Sequence, residues 1–340
     1  MRKICIIRVD GNKLVGHGHL RRCLAISESL YRDCNLYIAT NKISKEIKKE
    51  FLNYRIKFLL LRNRFKDSQK ESVYILKKIK NLDIIIFDGY HFNTANKKIF
   101  KNNNIKIISI DDEGKNDLLS DFIINHAPNM SSKKFKGIRK TKLKLGTRYL
   151  MVQNCFFKNK KNIYSYKNID NNIFICLGSS SNANRFAEKI INTLLIDKRV
   201  DKIFLICSKN IKERISLNNV DKRKLRIFSD LPAIKMAKVM TQSKIGICTS
   251  STVALECCAI NMPLIVGYLV NNQKNIYNGL INTKMAFGVG KLKNSNIQKI
   301  KLHVNNLLNR GKIGENMIKY QKKNIDYLSH NRIRNTILKK

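Results

Sequence analysis

The stretch KICIIRVDGNKLVGHGHLRRCLAISESLY, residues 3–31, decides the fold. It opens with an aliphatic run (3–9), passes through a loop containing Gly16 and Gly18, and continues as a helical stretch (21–31). An apolar strand that leads through a glycine-containing loop into a helix is typical of the start of a βαβ unit. It predicts a parallel sheet that carries helices on its faces.

The same alternation runs through the rest of the chain in two series. The first series has predicted strands at 3–9, 35–40, 83–90, 105–111 and 121–127, the last of which we expect to close the first sheet. The second has predicted strands at 172–178, 202–208, 224–230, 244–250 and 263–269, and helices at 185–195 and 253–260. Strands separated by helices predict a doubly wound α/β domain in each series, with ligands at the carboxyl ends of the strands.

A polar, basic stretch without clear periodicity separates the two series. We therefore predict an N-terminal Rossmann-like domain over 1–152, a linker over 153–171, a C-terminal Rossmann-like domain over 172–310 and closing helices over 311–340. Two such domains in tandem are expected to face a central cleft. The length of 340 residues fits two domains.

The chain is strongly basic, with 67 Lys and Arg against 24 Asp and Glu and a net charge of +43. Residues 1–150 carry 33 basic and 14 acidic residues, and residues 151–340 carry 34 and 10, so neither half is a dedicated basic domain. We interpret the charge as a compositional bias toward Lys, Asn and Ile, with attraction of an anionic substrate as the alternative. The clearest segment that mixes aromatic and basic residues lies in the linker, so we expect no nucleic-acid binding.

Targeting signals, membrane spans and metal sites are not indicated. The N-terminal apolar run reaches Asp10 without a cleavage-type sequence, and no run approaches the roughly 18–20 apolar residues of a membrane span. The nine cysteines show no C-x-x-C pair and no metal-ligand spacing with histidine. We expect reduced thiols, a cytoplasmic location, no membrane insertion, no metal and no cofactor.

The loop after the first predicted strand holds His17 and His19, each preceded by a glycine. Gly16 and Gly18 let the backbone turn tightly and approach a ligand closely. A histidine on such a loop is expected to be exposed and available for chemistry. The alternative for each histidine is a structural role, as a hydrogen-bonding cap of the first helix.

The loop LGSSSNANRF (177–186) occupies the corresponding place in the second series. Gly178 ends a strand, and Ser179, Ser180 and Ser181 precede a helix. Free N–H groups at a helix start, surrounded by hydroxyls, favour a phosphate. The alternative is ordinary N-capping by serine or asparagine.

The third candidate is CTSSTVALECCAINMPLIVGYLVNNQ (248–273), where Glu256 lies one turn past Thr252 on an otherwise apolar helix. A buried carboxylate needs a partner or a ligand, because unpaired burial is costly. A carboxylate can accept hydrogen bonds from both hydroxyls of a ribose. The alternative is an internal cap to Ser251 or Thr252.

Taken together, these stretches resemble the UDP-2,4-diacetamido-2,4,6-trideoxy-β-L-altropyranose hydrolase family of pseudaminic acid biosynthesis. That family is in turn similar to the glycosyltransferase that adds N-acetylglucosamine in peptidoglycan synthesis, and both have the GT-B architecture. The resemblance extends from Arg8 to about Gln273. Its motifs, in order, are RVD…GHGHLRR, FDGY, ISIDDE, LGTRYL, LGSSSNAN and SSTVALECCAINMPLIVGYLVNNQ.

The resemblance implies a role for individual residues. The Gly-x-Gly-His loop of the family falls on Gly16, His17, Gly18 and His19, so that His19 takes the catalytic position and His17 the variable one. The phosphate loop of the family commonly reads Gly-Gly-Ser-Asp, whereas this chain has Gly178-Ser179-Ser180-Ser181, which alters the pyrophosphate contacts. Glu256 matches the ribose-binding glutamate of the related transferase. The remaining implied substrate contacts are Arg8, Asp10, Ser251, Thr252, Asn272 and Gln273.

The implied activity is hydrolysis of a UDP-linked 2,4-diacetamido-2,4,6-trideoxy sugar at the anomeric C–O bond, with inversion and release of UDP. A diphosphate leaves without a strong acid, so one base that activates water should be enough, and a histidine suits that role. One of Asp10, Asp88, Asp111 or Asp112 is expected to orient His19 or to contact the substrate. The sequence does not choose among them.

Two enzymatic alternatives use the same scaffold. A GT-B glycosyltransferase would pass the sugar of a UDP-N-acetylhexosamine donor to an acceptor instead of water, and a UDP-sugar 2-epimerase fits the Gly-His-Gly-His opening less well. In each case the partner is a small UDP-sugar. A monomer is compatible with the sequence, which leaves the oligomeric state open.

Overall fold

The computed structural model describes residues 2–11, 18–62, 65, 67–114, 119–135, 138, 140–158, 168–178, 181–207 and 222–339. The chain divides into two compact units. The first unit comprises Met1–Gln153 and Tyr327–Lys340, and the second comprises Asn154–Asp326. Each unit is built around its own parallel sheet.

The first unit alternates strands and helices up to residue 110 and then adds two further strands. Its elements in chain order are β1 (Lys3–Val9), α1 (Gly18–Leu30), β2 (Cys34–Thr40), α2 (Lys45–Leu52), β3 (Lys57–Leu60), α3 (Ser68–Lys78), β4 (Ile84–Asp88), α4 (Thr94–Asn102), β5 (Lys106–Ile110), β6 (Phe122–Asn125) and β7 (Lys142–Leu145). The described strands form a seven-stranded sheet in the order β3-β2-β1-β4-β5-β6-β7, and all its pairs are parallel. The strand order reverses direction between β1 and β4, which is where ligands of such sheets bind.

The two faces of this sheet follow from the alternation of side chains along β1. Cys5, Ile7 and Val9 point to one face and pack in a cluster with Leu20 and Leu24 of α1. Ile6 points to the other face and packs in a second cluster, which also contains Ile75 of α3 and Phe100 of α4. Because β1 has apolar residues that point to both faces of the sheet, both faces must be covered. This is typical of a central strand.

The second unit repeats the arrangement. Its elements are α5 (Asn154–Lys158), β8 (Ile173–Cys176), α6 (Ser181–Leu195), β9 (Ile203–Cys207), β10 (Leu225–Ser229), α7 (Ala233–Thr241), β11 (Ile245–Thr249), α8 (Thr252–Ile260), β12 (Leu264–Tyr268), α9 (Lys274–Asn282), β13 (Phe287–Lys291), α10 (Ile297–Asn309) and α11 (Gly311–Asn324). The described strands form a six-stranded parallel sheet in the order β10-β9-β8-β11-β12-β13. Here the order reverses between β8 and β11.

The last helix, α12 (Ser329–Leu338), belongs to the first unit. Arg334 binds the carboxylate of Asp33 with two nitrogens, at 2.5 and 2.7 Å. The ammonium of Lys3 donates to the carbonyl of Leu338 at 2.8 Å, at the negative end of the helix dipole. Of the closing helices predicted over 311–340, α11 therefore counts with the second unit and α12 with the first.

The prediction of two doubly wound α/β domains is confirmed, but three strands were not predicted. The segment 121–127 does not close the first sheet, because β7 lies outside it, and β3 and β13 also lacked a prediction. Each of the three, KFLL, KLKL and FGVGK, is an edge strand with an exposed lysine, and the third also contains two half-buried glycines. An edge strand needs no continuous apolar run, so the signal used for the central strands fails there.

The predicted linker over 153–171 contains the short helix α5 and the described residues 168–171, whereas residues 159–167 lie outside the described part of the chain. Within the described residues, the structure shows no helix with both the length and the apolar character to cross a bilayer.

Candidate active site

The carboxyl edge of the first sheet brings His19 and Asp88 together. Val9, at the end of β1, is the register partner of Asp88, at the end of β4. The chain then leads from β1 to α1, whose second residue is His19. Nδ1 of His19 lies 2.5 Å from Oδ1 of Asp88, although the two residues are 69 positions apart.

The first two turns of α1 present three polar side chains to this aspartate. His19, Arg22 and Cys23 stand at positions i, i+3 and i+4 and therefore lie on one face of the helix. Nε of Arg22 donates to Oδ2 of Asp88 at 2.6 Å, and its Nη2 donates to Oδ1. The thiol of Cys23 lies 3.3 Å from Oδ2. Asp88, fully buried, thus accepts charged and neutral hydrogen bonds at both oxygens.

The contacts of His19 define its tautomer. Its Nδ1 lies 2.5 Å from the carboxylate of Asp88 and 2.8 Å from Nη2 of Arg22. A carboxylate oxygen can only accept, so at 2.5 Å Nδ1 carries the proton and donates it to Asp88. Nη2 of Arg22 is itself a donor and then makes no hydrogen bond to Nδ1, because it donates to Oδ1 of Asp88 instead. In the neutral ring Nε2 is then the basic nitrogen.

A second carboxylate completes the cluster. Nη1 of Arg22 donates to Oδ1 of Asp112 at 2.5 Å, and the hydroxyl of Tyr90 donates to Oδ2 at 3.0 Å. The ring of Tyr90 lies edge-on to His19, with the ring centres 5.1 Å apart. Arg22 therefore bridges two aspartates, one of which orients the histidine. We call His19, Arg22, Asp88 and Asp112 the buried cluster.

The electrostatics of the buried cluster follow from its charges. Burial by itself raises the pKa of Asp88, but Arg22 and His19 outweigh it and hold that pKa below its usual range. Burial likewise opposes ionisation of Asp112, and Arg22 again lowers its pKa. Burial lowers the pKa of Arg22, yet the two aspartates raise it further. Both carboxylates are therefore ionised and Arg22 is charged, because each group is stabilised by its partners.

A further histidine adjoins the cluster. His126 follows β6, and its Nδ1 accepts a hydrogen bond from the backbone N–H of Met151 at 3.3 Å. It is 1% exposed, and burial, reinforced by the positive charge of Arg22, lowers the pKa of His126 to about 4. His126 is consequently neutral at physiological pH.

The remaining predicted aspartates have other roles. Asp111 accepts the backbone N–H groups of Glu113 at 2.7 Å and Gly114 at 3.0 Å, so it forms a turn. Asp10 accepts from the backbone N–H of Asn41 at 2.8 Å and lies 2.8 Å from Nη1 of Arg8. Of the four aspartates left open by the sequence, Asp88 contacts His19 directly and Asp112 acts through Arg22.

Several predicted residues of this loop are placed differently from what the sequence suggested. Gly16 and His17 lie outside the described residues, and Gly18 is the first residue of α1. His19 is 5% exposed, so the expectation of an exposed loop histidine is wrong: the residue stands in the first turn of α1, and its ring lies against Asp88 and Tyr90. Arg8 is 1% exposed, and Glu71 binds its guanidinium at 2.6 and 3.0 Å. Arg8 therefore supports Asp10 from within the fold, and a substrate contact by Arg8 stays a prediction.

In the second unit, the predicted phosphate loop begins at the switch between β8 and β11. Gly178 has φ +93°, a conformation that favours glycine, and a Cβ built there would meet no atom within 4 Å. The backbone at this position is therefore open to close approach. Ser179 and Ser180 lie outside the described residues.

Glu256 lies at the same end of the second sheet. This residue is 7% exposed on α8. The C-cap residue of this helix, Asn261, has a left-handed backbone conformation with φ 66°. Burial, followed by smaller effects that include the carboxylate of Glu256, raises the pKa of Cys176 to about 12. The Gly178 loop follows β8 and α8 follows β11, and since β8 and β11 are paired parallel strands, the loop and the start of α8 lie at the same edge of the sheet.

The other predicted residues of the second unit border this region. Ser251 is the N-cap residue of α8, and its hydroxyl lies 3.3 Å from that of Thr249, while Thr252 is buried. Oε1 of Gln273 accepts the backbone N–H of Leu269 at 2.8 Å. Gln273 thus holds its own turn, and Asn272 beside it is half-buried. Sugar contacts by Asn272 and Gln273 stay predictions.

Sequence reasoning assigned no role to Arg22, Tyr90, His91 or His126. The i, i+3 spacing of His19 and Arg22 was a usable signal, as was the position of Tyr90 and His91 directly after an apolar strand. The burial of His126 had no signal in the sequence. Among the described residues, no group of three or more His, Cys, Asp and Glu side chains is arranged to hold a metal ion.

The fold defines the class of protein. Two parallel-sheet α/β units of this topology have the GT-B architecture, and this part of the sequence prediction is confirmed. Similar solved structures include S. aureus MnaA in a co-structure with UDP (TM-score 0.69, 13% identity, 98% of this chain and 96% of that chain). Acinetobacter baumannii MurG (TM-score 0.65, 13% identity, 100% of both chains) and a glycosyltransferase from Rickettsia africae (TM-score 0.62, 15% identity, 99% of both chains) share the fold.

Sequence similarity to known proteins covers less of the chain than structural similarity does. The chain is 27% identical over 289 residues to the uncharacterized protein MJ1062 of Methanocaldococcus jannaschii, a match that covers 81% of this chain and 57% of that protein. The chain therefore matches little more than half the length of this relative. No protein-family model matches the chain.

Proposed function

We propose that this chain cleaves the anomeric C–O bond of a UDP-linked sugar, with His19 as the general base. The observation that carries the proposal is the 2.5 Å contact between Nδ1 of His19 and the buried carboxylate of Asp88. A carboxylate that fixes the tautomer of an imidazole and stabilises its protonated form is the arrangement a histidine base needs.

The chemical step can be written from these groups. Nε2 of His19 removes a proton from a hydroxyl nucleophile, whose oxygen attacks the anomeric carbon opposite the diphosphate. The anomeric C–O bond breaks, its electron pair leaves with UDP, and the configuration inverts. The proton stays on His19, where Asp88 balances the new charge, and returns to solvent before the next turnover.

In this proposal the second unit binds the nucleotide part of the substrate. The start of α6 after Gly178 and the three consecutive serines of the sequence suit a diphosphate, and the buried carboxylate of Glu256 suits the ribose hydroxyls. The residues assigned to UDP-sugar binding are Gly178, Ser179, Ser180, Ser251, Thr252, Glu256, Asn272 and Gln273. In the first unit, Gly16, Gly18, Arg8 and Asp10 are assigned to the sugar side, directly or through neighbours.

The identity of the nucleophile separates two candidate functions. Solved structures of the same fold include glycosyltransferases, a co-structure with UDP and UDP-N-acetylglucosamine 2-epimerases. The glycosyltransferases among them favour transfer of a sugar, such as an N-acetylhexosamine, to an acceptor hydroxyl. The order of sequence motifs from Arg8 to Gln273 favours the second candidate, hydrolysis of a UDP-linked 2,4-diacetamido-2,4,6-trideoxy sugar. The base and the broken bond are the same in both.

The test is NMR spectroscopy of the purified protein with UDP-N-acetylglucosamine and with UDP-2,4-diacetamido-2,4,6-trideoxy sugars, following UDP release and anomeric configuration together. Free inverted sugar without an added acceptor supports hydrolysis. UDP release that requires an added saccharide acceptor supports transfer. Retention of configuration, or no UDP release from any of these donors with or without acceptor, contradicts the proposal.

A further inference from the structure

A second aspartate–histidine pair lies at the same edge of the first sheet. Nε2 of His91 is 3.4 Å from Oδ2 of Asp10. In this pair the aspartate, Asp10, follows β1 and the histidine, His91, follows β4. In the first pair the histidine, His19, comes after β1 and the aspartate, Asp88, ends β4. Asp10 follows Val9, the register partner of Asp88, so the two aspartates stand at the same carboxyl edge, one position apart. Their side chains reach opposite faces of the sheet, because Asp88 contacts α1 whereas Asp10 contacts Arg8, which is bound to Glu71 of α3.

Asp10 is firmly held. The backbone N–H and side-chain amide of Asn41 donate to its two oxygens at 2.8 and 3.1 Å, and Nη1 of Arg8 lies 2.8 Å from Oδ1. Although burial opposes it, His91 and Arg8 hold the pKa of Asp10 below its usual range. Glu71 in turn fixes Arg8 through two nitrogens. Asp10 is thus an ionised carboxylate with a fixed orientation.

The ring of His91 is held in position by its packing on neighbouring side chains. It packs on Phe92, with ring centres 4.0 Å apart, and Phe92 lies under the guanidinium of Arg8 at 5.0 Å. A Cβ at Gly89 would lie 2.9 Å from the ring of Phe92 and 3.4 Å from Nδ1 of His91. Glycine at this position therefore leaves room on the Nδ1 side of the ring. The side chain of His91 is 55% exposed, whereas that of His19 is 6% exposed.

We infer that His91 is a substrate-contacting residue, whose Nδ1 hydrogen-bonds a hydroxyl of the sugar, and that Asp10 is its positioning residue. With Nε2 turned to Asp10, Nδ1 is the nitrogen that can meet a ligand. Arg8, Glu71 and Asp10 together carry a net charge of −1, so this place repels a diphosphate and suits an uncharged, hydroxyl-bearing group. We call His91, Asp10, Arg8 and Glu71 the exposed cluster. The inference rests on the proposed function for the identity of the ligand.

The first test is chemical modification of the wild-type protein with diethyl pyrocarbonate, with the rate at each histidine read by mass spectrometry. We expect saturating UDP-sugar to slow the modification of His91 at least about fivefold, because a sugar in contact with Nδ1 shields the ring from the reagent. UDP alone should leave the rate unchanged. Because both ring nitrogens of His303 in the second unit are buried, N-acetylhistidine added to the same reaction is the control whose rate stays constant. An unchanged rate at His91 under saturating UDP-sugar, or equal protection by UDP alone, overturns the inference.

The second test separates contact from structural support. In His91→Gln the amide can still reach Asp10, but the second ring nitrogen is lost. We expect KM for the UDP-sugar to rise about tenfold, the loss of one hydrogen bond, with kcat changed much less and the thermal midpoint unchanged. Asp10→Asn should raise KM in the same direction, and the double variant should show less than the sum of both effects. Wild-type kinetics in His91→Gln would mean that only the link to Asp10 matters, and would overturn the inference.

The two proposals fail in different ways. If no UDP-sugar binds or turns over, the proposed function is wrong, and the ligand named here is wrong with it. If UDP-sugar turns over while His91 stays unprotected and tolerates glutamine, the proposed function stands and this inference alone is wrong.

Discussion

The first unit holds two clusters of the same chemical composition at one sheet edge, each with one arginine, two carboxylates and one histidine. In the buried cluster the side chain of His19 is 6% exposed, whereas in the exposed cluster the side chain of His91 is 55% exposed. The difference arises from the backbone that carries each ring: His19 stands in the first turn of α1, and His91 stands on the connection between β4 and α4. The comparison teaches that groups of the same kinds can hold one imidazole buried against its aspartate and leave another open to solvent.

The two arginines show the shared logic. Arg22 lies between Asp88 and Asp112, and Arg8 lies between Asp10 and Glu71. Each arginine is almost completely buried, which is tolerable only because its charge is paired and hydrogen-bonded on two sides. The arginines thus fix carboxylates, and the carboxylates fix imidazoles.

The largest expected effect separates the clusters by function. His19→Ala should lower UDP release about 10²–10⁴-fold, the usual contribution of a general base. UDP affinity, measured by calorimetry, should stay within about twofold, because the base is not assigned to the nucleotide. Turnover at the wild-type rate in this variant would refute the assignment of His19.

The next effect concerns stability. Arg22→Met leaves the buried carboxylates of Asp88 and Asp112 without their shared cation, and we expect it to lower the free energy of unfolding by about 3–5 kcal/mol. Arg21→Met is the matched control, since Arg21 pairs with Glu50 nearer the surface, at 2.7 and 2.8 Å, and should cost about 0–1 kcal/mol. Urea denaturation at pH 7 measures both. Equal losses in the two variants would contradict the distinction.

A pH experiment tests the neighbour of the buried cluster. His126 has a folded-state pKa of about 4, below the ordinary 6.5, so the unfolded chain binds more protons between these values. Stability should therefore fall as the pH drops from about 6.5 to 4, by up to about 1.4 kcal/mol per pH unit. His126→Asn, whose amide oxygen can still accept from Met151, should remove that slope. Urea midpoints measured every half pH unit check this, and identical slopes in both proteins would exclude it.

The smallest expected effect separates binding from chemistry. Glu256→Ala should weaken UDP and UDP-sugar binding about 10–100-fold, the loss of hydrogen bonds to a charged acceptor. Its kcat at saturation should change far less than that of His19→Ala. Titration calorimetry with UDP gives the affinity, and an affinity equal to that of the wild type would remove the ribose role of Glu256.

The central strands were predictable, whereas three of the four edge strands in the described residues were not. Apolar runs such as KICIIRV and DIIIFDGY identify strands with both faces covered, and the structure confirms them as β1 and β4. The strands β3, β7 and β13 escaped because edge strands tolerate lysine and glycine. The closing helices predicted over 311–340 belong to different units in the structure. The helix α12 belongs to the first unit, where Arg334 pairs with Asp33.

The candidate site was predictable in its residue types and not in its pairings. The sequence singled out His19 and four aspartates as candidates, but the choice of Asp88 depends on the pairing of β1 with β4. His91 and Arg22 carried local signals that became interpretable only when their partners were known.

The sequence by itself determined two parallel α/β units, a histidine at the first strand–helix junction and a carboxylate on an apolar helix of the second. Only the tertiary structure decided which carboxylate holds which imidazole, and which of the two rings faces solvent. The physical reason is that periodicity encodes which face of an element is apolar, whereas contacts between residues 69 positions apart follow from strand order and register. Those depend on the packing of the whole sheet.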